Sequence, residues 1–469
     1  MMSMTLMNWK ALTKPYPWSF MGFMVLVFLV PKFYDLANVY WIGKIGFEAL
    51  AITEQYEFLG VSIEVINEMI PFGILALVAR NWRDRDTILR ILKSGLVLQL
   101  AFSMAFMLLV LGFLAQFVNT IGTPPEIVET TRVYLGLKGL ALPFEALSYL
   151  LLMGIKSMRK GKEALHIVIF SVILNMMLDL FLISDRGFSL HLGIRGVAIG
   201  YVISKVALTA VSLAYLGKIL GIDWRSFIGR IDFKGMVRPI FRIGGWTGAD
   251  SLTRNLGYIG TLMVLNLIGT NEFGGYGLVM WVMWTLLIPV LALAEGTSVA
   301  VGNLYGEKKY DGMKKVILTS ILFSTLIMVG IGLIGIVAWA PISRFFNPNP
   351  DLTGFSIAAF EWLMIPYVLF AIGSCIKSLF FGTGETRYIL YISLVANVGI
   401  IVPFVLLVRA GYIAATFENV MAQFFIVFVE DLVVTALFAN RLFKRISKTS
   451  LLPGVRKSNP KIPPSKELQ

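Results

Sequence analysis

Asn175 and Asp179 are the residues of this chain whose types and spacing bear most directly on chemistry. They stand four residues apart in the apolar run from Leu174 to Ile183, LNMMLDLFLI. On a helix of 3.6 residues per turn they share one face, one turn apart. A carboxylate at membrane depth is costly, so it faces a bundle interior or an aqueous cavity. It then either locks packing through an interhelical hydrogen bond or forms part of an ion or substrate site. Asp35 and Asn38, spaced i,i+3, follow Pro31. A proline inside a helix frees backbone carbonyls and allows a bend. Together with Tyr134, these groups would supply several oxygens to one cavity. Two carboxylates close together in low dielectric cannot both stay ionised cheaply. The same oxygens suit a hard cation, so Asp35, Asn175 and Asp179 are candidate Na+ ligands, and Na+ and H+ both stay open.

Further ionisable groups fall in apolar stretches: Lys32, Glu64, Glu68, Lys138, Glu145, Lys205, Asp250, Arg254, Glu295, Glu361, Lys377, Glu430 and Asp431. Such a load argues for an internal, water-accessible cavity. Asp250 and Arg254 are spaced i,i+4 and are expected to neutralise each other. Lys156 and Lys377 are expected at helix ends, with their ammonium groups snorkelling to the interface.

The elements that position these groups follow from composition. The chain has 469 residues, 57% hydrophobic and 15% charged, against about 25% charged in soluble domains. It is therefore a polytopic membrane protein. A single cysteine, Cys375, excludes an intrachain disulfide and a Cys-based metal cluster, and two histidines leave no His metal site. No cleavable signal peptide is read in the first residues. Walker A, HExxH and nucleophile-elbow motifs are absent, so neither an enzyme nor an ATP-driven pump is expected, and no cofactor beyond a coupling Na+.

Segments of membrane-spanning length recur near 18–42, 56–80, 92–118, 131–156, 163–183, 193–219, 236–268, 275–303, 314–342, 355–381, 388–409 and 413–440. Loops rich in Lys and Arg (80–93, 156–162, 218–242, 308–315 and from 441 on) alternate with neutral or acidic loops rich in Gly, Pro and Asn. This asymmetry accounts for the net charge of +13 without nucleic acid. It predicts a cell-membrane protein with both termini in the cytoplasm. The expected division is a lead-in at 1–17, a first six-helix lobe at 18–219, a basic linker at 220–235, a second lobe at 236–440 and a disordered basic tail at 441–469. The halves echo each other: Pro143, Ile155-Lys156-Ser157 and Asn175 recur as Pro366, Ile376-Lys377-Ser378 and Asn397, and Ile45-Gly46 as Ile268-Gly269. Internal repeats of this kind build many transporters, with the site between or within the repeats. The fold class is an all-α membrane protein, twelve transmembrane helices in two pseudo-symmetric lobes.

The segment Ile42–Gly46 followed by Glu48-Ala49-Leu50, Leu142-Pro143, the Asn175/Asp179 pair, Gly193–Gly200 and Gly296–Gly306 together resemble the multidrug and toxic compound extrusion (MATE) family of secondary transporters. The resemblance covers about residues 18–440. It implies efflux of amphiphilic, cationic drug-like compounds against an inward flow of Na+ or H+, by a monomer in the lipid bilayer. It places Tyr134, Asn175 and Asp179 at the coupling-ion site. The family's first-helix Asp falls on Asn38, with Asp35 one turn earlier, and its sixth-helix Thr falls on Tyr201. Near the second-half carboxylate lie Asn255, Asp250 and Glu295, which with Tyr201 are the substrate-cavity candidates. The alternatives are a flippase for lipid-linked oligosaccharide or another anionic lipid, which Lys32, Lys138, Lys205 and Arg254 would serve, and a non-transporting receptor or channel.

Overall fold

The structure, a computed structural model, describes residues 13–450 apart from 121–122, 185, 228–230 and 347–348. The sequence-derived lead-in up to Leu12 and the tail beyond Ser450 lie outside the described residues. The first half comprises α1 (Trp18–Ile45), α2 (Phe47–Glu54), α3 (Glu57–Arg80), α4 (Arg85–Gly112), α5 (Leu114–Thr120), α6 (Val128–Ser157), α7 (Gly161–Leu182) and α8 (Gly193–Leu220). The second comprises α9 (Arg238–Ile268), α10 (Thr270–Leu286), α11 (Ile288–Gly306), α12 (Tyr310–Phe346), α13 (Pro350–Thr383), α14 (Arg387–Ala396), α15 (Val402–Arg409) and α16 (Phe417–Ser450). The described residues contain no strand.

Eleven helices among the described residues are long and apolar enough to cross a membrane. The twelfth span is α9. Its 31 residues reach about 46 Å at 1.5 Å per residue, ample for a bilayer. Its apolar content is diluted because Thr247, Asp250, Ser251, Thr253, Arg254 and Asn255 crowd its middle. Each half therefore contributes six spans, α10 and α11 making one and α14 and α15 another.

The repeat extends to backbone geometry. Gly46 separates α1 from α2 at φ 150°, ψ 166°, and Gly269 separates α9 from α10 at φ 168°, ψ 163°. The first of these lies where only glycine is at ease. At the other repeat position, Asn175 donates through Nδ2 to the Ser171 carbonyl at 2.8 Å, and Asn397 does the same to Ser393 at 2.8 Å. The halves then diverge. Asn397–Ile401 is a π-turn joining α14 to α15. Pro403 follows it and has no N–H to return to the preceding turn, which favours a widened ladder there.

Several expected boundaries move. The span read as 275–303 is two helices meeting at Leu287, just before Pro289. The span read as 92–118 is α4 plus the short α5. The final helix continues to Ser450, so residues 441–450, assigned from sequence to the tail, are helical. Within the linker lie a short 3-10 turn at Trp224–Phe227 and a π-turn at Phe233–Val237.

Packing is asymmetric from end to end. At the end bearing the basic loops, the two halves share one core. Tyr16, just before α1, and Phe20, Met21 and Met24 of α1, with Leu75 and Met153, pack against Leu293, Val299, Val301 and Leu304 of α11 and Phe380 of α13. At the opposite end the cores are separate. Ile42, Ile52, Tyr134 and Ala198 belong to a cluster drawn from the first half alone, and Val264, Tyr276, Phe360 and Phe424 to one drawn from the second. Glycines permit the shared contact. A Cβ on Gly244 of α9 would lie 1.7 Å from the Met69 carbonyl oxygen of α3, and one on Gly306 of α11 would lie 1.9 Å from that of Arg80. The helices thus approach to backbone contact across the lobe boundary.

Candidate functional site

Helix α7 carries Asp179 inward, and its side chain is buried at 5% exposure. Tyr34 of α1 is its near neighbour. The second carboxylate oxygen, Oδ2, is buried without a partner. So is Oδ1 of Asn38, one turn along α1 from Tyr34. A buried acceptor left unpaired costs about 1–3 kcal/mol, so the Asp179 carboxylate favours a proton or a bound cation. The Asp35 carboxylate pairs with Lys32 Nζ at 2.8 Å and is about half exposed. Lys32, one turn earlier on the same helix face, is the partner Asp35 has here; a Na+ shared by Asp35, Asn175 and Asp179 stands as a proposal. Asn175 is turned toward Ser171, bonding its carbonyl and its hydroxyl. Among the described residues no group of three His, Cys, Asp or Glu side chains forms a metal cage.

Tyr134 is buried and, with Tyr56 and Tyr201, surrounds the ammonium of Lys138. Nζ lies 3.5 Å from the ring centroid of Tyr56, 4.4 Å from that of Tyr201 and 5.4 Å from that of Tyr134. Such ring faces attract cations electrostatically. Tyr56 donates to Glu145 Oε2 at 3.3 Å, and Lys205 Nζ lies 4.8 Å from the Tyr201 ring. Tyr201 is thus placed against two lysines.

Between the lobes, Asp250 and Arg254 pair as expected, Nε to Oδ2 at 3.2 Å. The guanidinium also reaches α3. Its Nη2 lies 2.9 Å from Glu68 Oε2 and 3.6 Å from Glu64 Oε1, and Asn255 Nδ2 donates to Glu64 Oε2 at 3.3 Å. One arginine thus serves three carboxylates, two of them from the other lobe. A cavity of about 300 Å³ opens beside it in the second lobe, lined in part by Asp250, Tyr258, Lys377, Asn397, Phe428 and Asp431.

The two lysines expected to snorkel do not. Lys156 is buried against Glu295 of the opposite lobe, their side chains 4% and 9% exposed. Lys377 Nζ binds Asp431 Oδ1 at 2.6 Å. Each meets a carboxylate inside the bundle instead of reaching the interface. Beside the second pair, both carboxylate oxygens of Glu430 are buried and unpartnered. Tyr34, Tyr56 and Glu430 were not singled out as site residues from sequence. Tyr34 carried one signal, its place directly before Asp35.

At the basic-loop end, polar contacts tie the lobes together. Asn303 of α11 donates to the carbonyls of Ala79 at 2.7 Å and Ser157 at 3.3 Å, and accepts from Arg159 Nε. Arg80 donates to the Thr383 carbonyl, and Arg83 pairs with Glu307 at 2.9 Å.

Two six-helix repeats closed on each other at one end, with isolated buried carboxylates inside, define a membrane transporter of the two-lobe type. The MatE family model matches residues 24–181 and again 251–407, one block in each half, and the chain belongs to that family. It is 24% identical over 408 residues to "Probable multidrug resistance protein YoeA" of Bacillus subtilis, covering 83% of this chain and 87% of that one. With "Multidrug export protein MepA" of Staphylococcus haemolyticus it shares 23% identity over 449 residues, 92% and 94% of the two chains. In fold it matches a MOP superfamily transporter from Pyrococcus furiosus with a TM-score of 0.82 at 18% identity, covering 91% of this chain and 95% of that one. An outward-facing MATE family transporter superposes with a TM-score of 0.81, also at 18% identity and with the same coverage.

Proposed function

We propose that this protein is a secondary antiporter that exports amphiphilic organic cations in exchange for Na+ or H+, its two lobes rocking to open alternately to either side of the cell membrane. The observation that carries this reading is Asp179, a buried carboxylate with one oxygen unpartnered in the first lobe. A group whose charge costs more or less as a ligand comes and goes can bias one of two lobe arrangements. Tyr34 on α1 would orient it, with Asn38 one turn further along that helix and Asn175 one turn earlier on α7. The multidrug names of the relatives support drug-like substrates, and the acid excess around Arg254 supports cationic ones.

Positive-inside asymmetry puts the basic-loop end, and with it both termini, in the cytoplasm. The shared core and polar ties at that end then correspond to an outward-open state. Flipping an anionic lipid headgroup is less well served. Lys32 is engaged by Asp35, Arg254 by three carboxylates, and Lys138 and Lys205 lie over tyrosine rings.

The test is counterflow of a fluorescent organic cation in proteoliposomes under an imposed Na+ or H+ gradient. Wild-type protein should accumulate the dye with one gradient and not the other. Equal uptake with no gradient, or none with either, would overturn the antiporter reading.

A further inference from the structure

We propose that the basic-loop end carries a binding pocket for the phosphodiester headgroup of an anionic phospholipid, built from the start of α1 and the turn between α6 and α7. A cavity of about 460 Å³ opens there, with Trp18, Phe20 and Phe23 on one wall and Arg159, Lys160 and Lys162 on the other. The two walls match the two parts of a lipid at the interface, an apolar glycerol and acyl region and an anionic phosphate. The cationic wall keeps a net positive charge. Glu163, also in the lining, meets Lys160 at 3.4 Å, which leaves Arg159 and Lys162 to face an anion. Lys160 supplies no side-chain cap to α7, whose first amides therefore add to the same positive field.

A second cavity of about 200 Å³ adjoins the first through Lys160 and is lined by Trp82, Arg83 and Arg85. The Trp82 indole N–H is buried there without a hydrogen-bond partner. Its ring is flanked by the guanidinium carbons of Arg83 at 4.8 Å and Arg159 at 5.3 Å.

A free phosphate would satisfy the cations alone. The lipid is favoured by the aromatic wall and by the height of the pocket. Trp18 opens the first membrane span and is half-exposed, the position where indole rings anchor at the bilayer interface. Arg159 and Arg83 also tie the lobes together, through Asn303 and Glu307. A headgroup drawing on these guanidiniums would act on the closed end of the transporter.

The experiment is native mass spectrometry of the delipidated full chain, offered equimolar phosphatidylglycerol and phosphatidylcholine in detergent. Wild-type protein should retain phosphatidylglycerol preferentially. Lys160→Ala with Lys162→Ala should cut that preference about fivefold per lysine, at ~1 kcal/mol for each basic group near a phosphate. Lys160→Arg with Lys162→Arg should keep it. Lys314→Ala with Lys315→Ala, on α12 at the same end, should leave it unchanged and so separates a built pocket from diffuse positive charge. The proposal fails if wild-type protein shows no preference, if the first double variant keeps it in full, or if the α12 variant loses as much. It fails equally if millimolar inorganic phosphate displaces the lipid, since the site would then serve a soluble anion.

Discussion

At the scale of single residues, Asp179 carries the sharpest expectation. Asp179→Asn keeps the shape beside Tyr34 but removes the charge. The variant should fold, still bind dye, and lose gradient-driven transport in the proteoliposome assay. Wild-type transport with intact ion dependence would move the coupling role to Glu430, whose two carboxylate oxygens are both buried without a hydrogen-bond partner among the described residues. The Lys156–Glu295 pair makes a different prediction. Removing one member of a buried pair strands the other and costs about 3–5 kcal/mol, whereas replacing both is often nearly neutral. Lys156→Met should therefore lower the melting temperature in detergent markedly, and Lys156→Met with Glu295→Leu should recover most of the loss. Glu307 behaves otherwise. A hydrogen bond from Lys309, with Arg83 adding its charge, holds its carboxyl below the usual range. A depressed carboxylate stabilises above its unfolded value, about 4.3, and loses that contribution only as pH falls through the lower folded value. Between pH 5 and 8 the Arg83–Glu307 tie stays ionised, so Glu307→Gln should leave the pH profile of transport unchanged. With Arg83 largely exposed, the tie contributes no more than about 1 kcal/mol. Most of the charged residues inside the bundle were legible in the sequence, as was the Asp250–Arg254 pair, but the burial of Lys156 was not. Partners on other helices were not legible either, because a partner three or four residues away, as for Asp35 and Lys32, competes with them at distances that spacing does not reveal.

At the scale of elements, the α3–α9 seam joins the lobes at backbone contact. Gly73, Gly244 and Gly248 let these helices touch across the lobe boundary. Gly244→Val would drive a side chain into the Met69 carbonyl, which belongs to backbone and cannot turn aside. Spin labels at Asp86 and Lys314, one on each lobe at the basic-loop end, should report a longer distance in this variant than in wild-type protein. An unchanged distance would mean the seam does not hold that end shut. The existence of the spans, their order and the repeat could be read from hydrophobic length and echoed motifs, and the paired Gly46 and Gly269 breaks bear out the Ile-Gly echo. Breaks at Leu287 and Asn397 could not be placed that way. They depend on Pro289 and Pro403 within runs whose apolarity continues across them, and hydropathy averages over such interruptions. α9 shows the converse: its polar middle dilutes the apolarity of a span read at 236–268 while marking it as a helix that faces the other lobe.

At the scale of the whole molecule, a topological expectation follows from the basic loops. Asp223→Cys, in the linker between lobes, should resist membrane-impermeant thiol reagents added to intact cells and react after permeabilisation. Cys375 is buried, so background labelling should be low. Ready labelling from outside would invert the orientation and exchange the two faces of the transporter. Two of the ion-pair clusters that bridge the lobes have one more consequence. In one, the first lobe gives the cation, Lys156, to Glu295; in the other it gives the anions, Glu64 and Glu68, to Arg254. The mating surfaces are therefore keyed like a polarised plug. A shifted or rotated closure would bring like charges together, and the pseudo-symmetry of the repeats offers no second way to dock, since Lys377, the counterpart of Lys156, spends its charge on Asp431 within its own lobe. Closure at this end has a single register, and a chimera that swapped one lobe for that of a relative would close only if it carried the matching charges.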